Sequence, residues 1–269
     1  MNLIDAVILG LIQGLTEFLP VSSSGHLVLG KALLDVHEKG IAFEVFVHFG
    51  TLLSVLAVYR RDIYGLIQSL FMALHEPGQI NTYYRQDRSF RLLIYILAGS
   101  VPAGVVGILF NDPIEKAFDD PGMVSGMLIV TGTILLLTRF IRPPQREMSF
   151  IHAILIGCAQ ALAIMPGISR SGSTISMALY LGIAREEAAR YSFLLAVPVI
   201  LGATVLKLVE LMHDLPPAAE VLDLAVGTII SFISGYAAIK LLLLFIRSGK
   251  LNYFAWYCYG VGALGLLYF

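Results

Sequence analysis

The sequence predicts an all-α integral membrane protein: about six transmembrane helices plus two re-entrant helical hairpins in an inverted-topology repeat. Three observations carry this. Of 269 residues, 57% are hydrophobic and 14% charged, with a mean hydropathy of +0.81, far outside the range of soluble domains. Two apolar regions break at a proline next to a serine-rich stretch, and basic loops alternate with acidic ones. A net charge of −1 excludes nucleic acid as a partner, because no basic surface exists to neutralise a phosphate backbone. The ligand is instead expected from the bilayer or across it.

A crossing needs about 20 apolar residues, and six segments approach that length: 41–58, 90–110, 122–141, 190–212, 222–246 and 253–269. Residues 3–19 and 150–165 differ. Each ends at a proline, Pro20 or Pro166, and the apolar pieces that resume at 27–34 and 175–183 are too short to cross. Each pair reads as a hairpin that enters the membrane and returns. The chain is then a single polytopic membrane domain, 1–269, with repeat halves of approximately 1–120 and 121–269. No cleavable signal is expected, since a basic leading region is lacking and Asp5 and Glu17 interrupt the apolar run. Cys158 and Cys258 lie inside apolar segments without metal-type spacing and are expected as packing residues.

Loop charge orients the hairpins. Arg60, Arg61, Arg85, Arg88 and Arg91 mark 59–91 as cytoplasmic, Arg139, Arg142 and Arg146 mark 139–149, and Arg247 with Lys250 the last loop. Asp112, Glu115, Asp119 and Asp120 fill one remaining loop; Asp214, Glu220 and Asp223 fill another. Arg185, Glu186, Glu187 and Arg190 follow the second broken region. If 150–183 crossed fully, every later loop would reverse and the acidic ones would lie inside. The region 150–183 is therefore expected to be re-entrant from the cytoplasm, and 3–34 from the other face. The segment 63–74, IYGLIQSLFMAL, becomes an interfacial helix.

The hairpins also resemble each other. Gln13 precedes Pro20 and SSSGH, and Gln160 precedes Pro166 and SRSGS. Ser22, Ser24 and Gly25 correspond to Ser169, Ser171 and Gly172 at a constant offset of 147, which Phe46 and Phe193 share. Inverted repeats with broken helices build sites near the midplane, and irregular backbone at that depth is tolerated where it lines a water-filled cavity or is buried in protein. The serines and His26 are thus expected to line a polar cavity. Glu17, His26 and Arg170 are ionisable groups at a depth where charge costs a few kcal/mol or more. Gln13 shares a helix face with Glu17. In the second hairpin, Gly167, Ser169, Arg170, Ser171, Gly172, Ser173 and Thr174 combine helix-start N–H groups, hydroxyls and a guanidinium fork, a set suited to phosphate or diphosphate. No GxxxxGK, HExxH or cysteine cluster points to a nucleotide or a transition metal.

Each of these residues also has a structural use. Small hydroxylated residues pack membrane helices, His26 alone reads equally as a hydrogen-bonded interior histidine, and Glu17 and Arg170 would neutralise each other. Their coincidence on two matched hairpins favours function. His48 reads either as a supporting donor or as a packing residue, and His37, His75 and His213 as solvated loop residues.

QGLTEFLPVSSSGH and PGISRSGST together resemble the two signature motifs of the bacterial undecaprenyl-diphosphate phosphatase family, also called bacitracin-resistance proteins. The resemblance extends through FEVFVHFGTLLSVLAV and YSFLLAVPVILGAT over the whole length. It implies an enzyme of the bacterial cytoplasmic membrane, open to the periplasmic face, that hydrolyses undecaprenyl diphosphate to the monophosphate carrier. It further implies a divalent cation, Mg2+ or Ca2+, with Gln13 and Glu17 on the glutamate-rich motif, Ser22, Ser23, Ser24 and His26 on the serine and histidine positions, and Ser169, Arg170, Ser171 and Thr174 on the arginine motif. Gln13 stands where many members carry a second glutamate, and His48 where glutamine is usual.

Phosphoryl transfer rests on positioning and charge neutralisation, so Arg170, helix-start N–H groups and a cation are expected on the diphosphate. Three assignments of the nucleophile fit the residues: Ser23 with His26 as base, His26 attacking directly, or water activated by His26. Glu17 binds the cation or orients His26. Phosphatidate-phosphatase-like acid phosphatases share a Ser-Gly-His element, here Ser24-Gly25-His26, but the histidine they carry after a Ser-Arg pair is missing, position 176 being serine. The alternative from another class is a lipid or small-anion transporter or flippase.

Overall fold

The computed structural model describes residues 3–34, 42–141, 146–211 and 218–269; His37, Arg142, His213 and Asp214 lie outside them. The first hairpin is α1 (Leu3–Phe18) and α2 (Ser23–Leu33). Helix α3 (Ala42–Val58) leads into α4 (Arg60–His75) through a bend of 86°. Then come α5 (Ile80–Gln86), α6 (Arg88–Leu109), α7 (Asn111–Ala117) and α8 (Pro121–Leu137). The second hairpin is α9 (Phe150–Leu162) and α10 (Arg170–Tyr180), followed by α11 (Arg185–Leu211), α12 (Ala218–Arg247) and α13 (Tyr253–Tyr268). Among the described residues there is no strand, only an isolated pairing of Arg146 with Ile183.

The protein is an all-α integral membrane protein. Among the described residues, four stretches are long and apolar enough to cross a bilayer: Arg88–Leu109, Pro121–Phe140, Arg185–Val205 and Glu220–Arg247. A fifth counts if α3 and α4 are taken as one bent span. About six transmembrane helices were expected; the described parts of the other two candidates, α3 and α13, have 17 and 16 residues, against the roughly 20 of a straight crossing. Helix α4 turns Leu66, Ser69 and Ala73 inward and leaves Tyr64, Ile67, Phe71 and Leu74 exposed, the pattern of a helix lying in an interface.

Small residues set the helix spacing, as expected where lipid supplies no hydrophobic drive between helices. A Cβ on Gly14 would stand 1.9 Å from Ser234 Oγ, and one on Gly10 2.8 Å from the Gly227 carbonyl oxygen, so α1 lies directly on α12. Gly50 and Ser54 bring α3 onto the same helix: Ser54 Oγ donates to the Phe232 carbonyl at 2.7 Å. At the second hairpin, Gly157 of α9 sits on Gly99 of α6, where a Cβ would be 2.2 Å from the Gly99 carbonyl oxygen. Thus α1 packs on α12 as α9 packs on α6, α1 on α2 as α9 on α10, and α3 on α11.

The arginine-rich loops gather at one end of the bundle. Arg190 pairs with Asp62 of α4, Arg88 with Glu187 at 3.3 Å, and Arg247 with Glu186 at 3.0 Å. There the Arg146 N–H donates to the Gly182 carbonyl at 2.9 Å, which ties the entry of the second hairpin to its exit. The region 150–183 therefore leaves and returns at one end, as a re-entrant hairpin must. Of the two cysteines, Cys258 is buried, but Cys158 is exposed; it points out of α9 rather than packing inside as expected.

Candidate active site

The two hairpins meet tip to tip. Ser22 is the N-cap of α2, its hydroxyl accepting from Gly25 N at 3.2 Å, and Ser169 is the N-cap of α10, accepting from Gly172 N at 3.0 Å. Each cap contacts the hydroxyl two residues on, Ser24 at 3.2 Å and Ser171 at 3.3 Å. Capping satisfies helix-start N–H groups that a membrane interior would otherwise leave unpaired. Across the junction Gly25 faces Gly167, Gly172 faces Pro20, and Ser171 Oγ donates to the Leu19 carbonyl at 3.4 Å. Thr131 of α8 fixes the second tip: its hydroxyl donates to the Gly167 carbonyl at 2.8 Å and accepts from Ser169 N at 2.9 Å.

Glu17 lies at the centre, in the last turn of α1 and almost fully buried. One carboxylate oxygen, Oε1, is held by Arg170 Nη2 from the opposite hairpin. The other, Oε2, accepts from Ser23 Oγ at 2.5 Å and from Gln13 Nε2 at 2.9 Å. His48 Nε2 stands 3.5 Å from the same oxygen, while its Nδ1 faces the Glu44 carbonyl at 2.7 Å. The carboxylate is thus the meeting point of α1, α2, α3 and α10. Removing either partner of such a buried ion pair leaves an uncompensated charge, a loss of about 3–5 kcal/mol.

Beside it opens a cavity of about 210 Å³. Its lining combines the polar Glu17, Ser22, Ser23, Ser24, His48, Gln160, Ser169 and Arg170 with the apolar Ala103, Phe118, Ile164, Ile168, Val199 and Ile200. Arg170 Nη1 is buried without a partner. A guanidinium donor and several hydroxyls together with apolar side chains in one lining match an anionic head carried on a hydrocarbon chain.

Not every expected residue faces this cavity. His26 donates from Nδ1 to the Ser22 carbonyl at 2.8 Å, leaving Nε2 to accept from Tyr257 OH at 2.8 Å, with the two rings stacked. Ser23, expected to share a face with His26, turns its hydroxyl to Glu17 instead. Thr174 is spent on the Arg170 carbonyl and Ser192, at 2.8 and 2.6 Å. Gly167, Ser171, Gly172 and Ser173 build the junction and the first turn of α10 without lining the cavity. Sequence reasoning left His48 undecided and gave Gln160 no role beyond the repeat. The offset from Gln13 to Gln160 was the available signal for the second.

For a divalent cation the donors are few. Among the described residues no three His, Cys, Asp or Glu side chains cluster. What does fit is an orphaned oxygen: Gln13 Oε1 is buried without a partner, on a side chain one helical turn before Glu17 whose Nε2 donates to the same carboxylate oxygen as Ser23. Hard cations take such oxygens, completing their shell with substrate phosphates.

Fold and site define a helical membrane protein in which two broken hairpins hold a buried acid–arginine pair beside a cavity for an anionic, lipid-borne group. The chain belongs to the family described as Bacitracin resistance protein BacA, which matches residues 6–264. It is 49% identical over 264 residues to a protein of Salinibacter ruber named undecaprenyl-diphosphatase, covering 97% of each chain. Proteins of the same name from Halothermothrix orenii, at 42% with 98% of this chain and 97% of the relative covered, and Korarchaeum cryptofilum, at 41% with 99% and 100% covered, are similar along their whole length.

Proposed function

We propose that this protein hydrolyses undecaprenyl diphosphate to undecaprenyl phosphate and inorganic phosphate, returning the lipid carrier to cell-wall synthesis. The observation that carries the reading is the Ser23–Glu17–Arg170 constellation on a cavity lined by both polar and apolar side chains. The names of the relatives support the substrate. Arg170 grips phosphoryl oxygens through its free Nη1 while Nη2 stays on Glu17. Ser23 Oγ forms a bond to the terminal phosphorus as the bond to the undecaprenyl phosphate oxygen breaks, and its proton passes to Glu17, which already accepts it. Water then attacks the phosphoserine, inorganic phosphate leaves, and Ser23 regains its proton. His26 is a positioning residue in this scheme, pinning the Ser22 turn to α13 through Tyr257. A Mg2+ or Ca2+ ion held by Gln13 Oε1 and Glu17 would neutralise phosphate charge.

The two halves, about 1–120 and 121–269, act as an inverted repeat in the bacterial cytoplasmic membrane, with the cavity open to the outer face. Phe118, in the acidic loop, lines the cavity, whereas the paired arginines lie at the opposite-charge end, which supports that orientation.

The test is phosphate release from undecaprenyl diphosphate by purified protein in detergent, where no compartments exist and transport cannot register. The expected result is one phosphate per lipid, lost in Ser23→Ala. Absence of release from the wild type overturns the proposal.

A further inference from the structure

Building on the diphosphatase reading, we propose that Gln160 is a diphosphate-binding residue, contacting the substrate together with the unpartnered Nη1 of the Arg170 guanidinium. Among the described residues, the buried side-chain atoms without hydrogen-bond partners belong to Gln13, His152, Gln160, Arg170 and Ser176. Only Gln160 and Arg170 also line the cavity. Gln160 is the extreme case: it is 3% exposed, and both Nε2 and Oε1 lack a partner. A buried carboxamide with neither end satisfied is costly unless something arrives to satisfy it.

The donors predict what arrives. Arg170 Nη1 supplies charged N–H and Gln160 Nε2 two neutral ones, with Ser169 in the same lining. Such a set complements phosphoryl oxygens and offers nothing to a cation beyond the single Gln160 Oε1. The repeat sharpens this. Gln13, at the equivalent place in the first hairpin, spends its Nε2 on Glu17 at 2.9 Å. Gln160 has no acid to hold, because the position equivalent to Glu17 is Ile164. One amide orients the acid, and the other is left for the ligand.

The experiment compares wild type, Gln160→Met and Gln160→Asn, measuring pyrophosphate affinity by calorimetry, KM and kcat for undecaprenyl diphosphate, and melting temperature, all in detergent. Gln160→Met keeps length and volume but removes both polar atoms. It should weaken pyrophosphate binding about tenfold and raise KM by a similar factor while kcat changes less than threefold, as expected for ground-state binding of the phosphates. Gln160→Asn, which retains an amide set back by one methylene, should fall between the two and serves if the methionine variant does not fold. Pyrophosphate binding that is equal in wild type and variants, or absent in the wild type, overturns the role of Gln160. So does a loss of kcat in step with a lowered melting temperature at constant KM. Wild-type protein that binds pyrophosphate in a Gln160-dependent way but releases no phosphate would keep this site and reject hydrolysis.

Discussion

The two hairpins share a frame and differ in charge. Helices α2 and α10 begin and end at the same 147-residue offset, Ser23 against Arg170 and Leu33 against Tyr180, and α1 and α9 start at it too. The serine caps are equivalent in position and contact. Yet α1 runs helical to Phe18 and carries Glu17 in its last turn, whereas α9 stops at Leu162 and passes through Pro166 and Gly167 before α10. One hairpin thus delivers the carboxylate and the other the guanidinium. Two similarly capped tips meet at one place, and the difference between them supplies the chemistry.

The strongest test of that division is to exchange the charges. A Glu17→Arg, Arg170→Glu double variant keeps one acid and one base at the junction but takes the carboxylate away from Ser23. Phosphate release should fall by about 10²–10⁴-fold, the usual contribution of a positioned proton acceptor. Glu17→Gln should lose a comparable amount. Recovery of activity in the exchanged protein would mean that the pair serves only to neutralise charge.

A smaller effect separates the two packing sites. Gly157→Ala places a methyl 2.2 Å from the Gly99 carbonyl oxygen, backbone that cannot swing away, while Gly10→Ala meets the Gly227 carbonyl at 2.8 Å. Thermal unfolding should show about 1–3 kcal/mol lost in the first and less in the second. Equal melting temperatures would show that α9 and α6 separate more easily than the contact implies.

Much of this was legible beforehand, for physical reasons. Ionisable residues at membrane depth are few, so Glu17 and Arg170 stood out, and their offset serines marked the two tips. Loop charge identified the hairpin at 150–183, which the contact between Arg146 and Gly182 closes at its base. What sequence could not supply were partners distant along the chain: Tyr257 for His26, Thr131 for the second tip, and the direction in which Ser23 points. Nor does hydropathy show where a helix bends, as between α3 and α4.

The smallest difference lies in the backbone at the first tip. Ser22 has φ 68°, the only positive φ outside glycine among the described residues, whereas the second tip places its positive φ on Gly167, at 92°. Ser22→Gly should therefore raise stability by roughly 0.5 kcal/mol, since relief of the left-handed conformation outweighs the lost cap and the added chain entropy. Ser169, at φ −72°, has no such strain to relieve, and Ser169→Gly should lower stability by a similar amount. The same sign in both melting curves would remove this asymmetry from the account.

That hairpins from opposite faces meet to build one site is tested most directly by sided labelling of single cysteines, with Cys158 and Cys258 replaced by alanine. An impermeant thiol reagent added to intact cells should modify a cysteine at Lys31, at the base of the first hairpin, and one at Asp119. It should leave cysteines at Arg61 and Arg185, beside the base of the second hairpin, untouched until the membrane is permeabilised. Labelling of Lys31 and Arg185 from the same side would contradict the inverted arrangement.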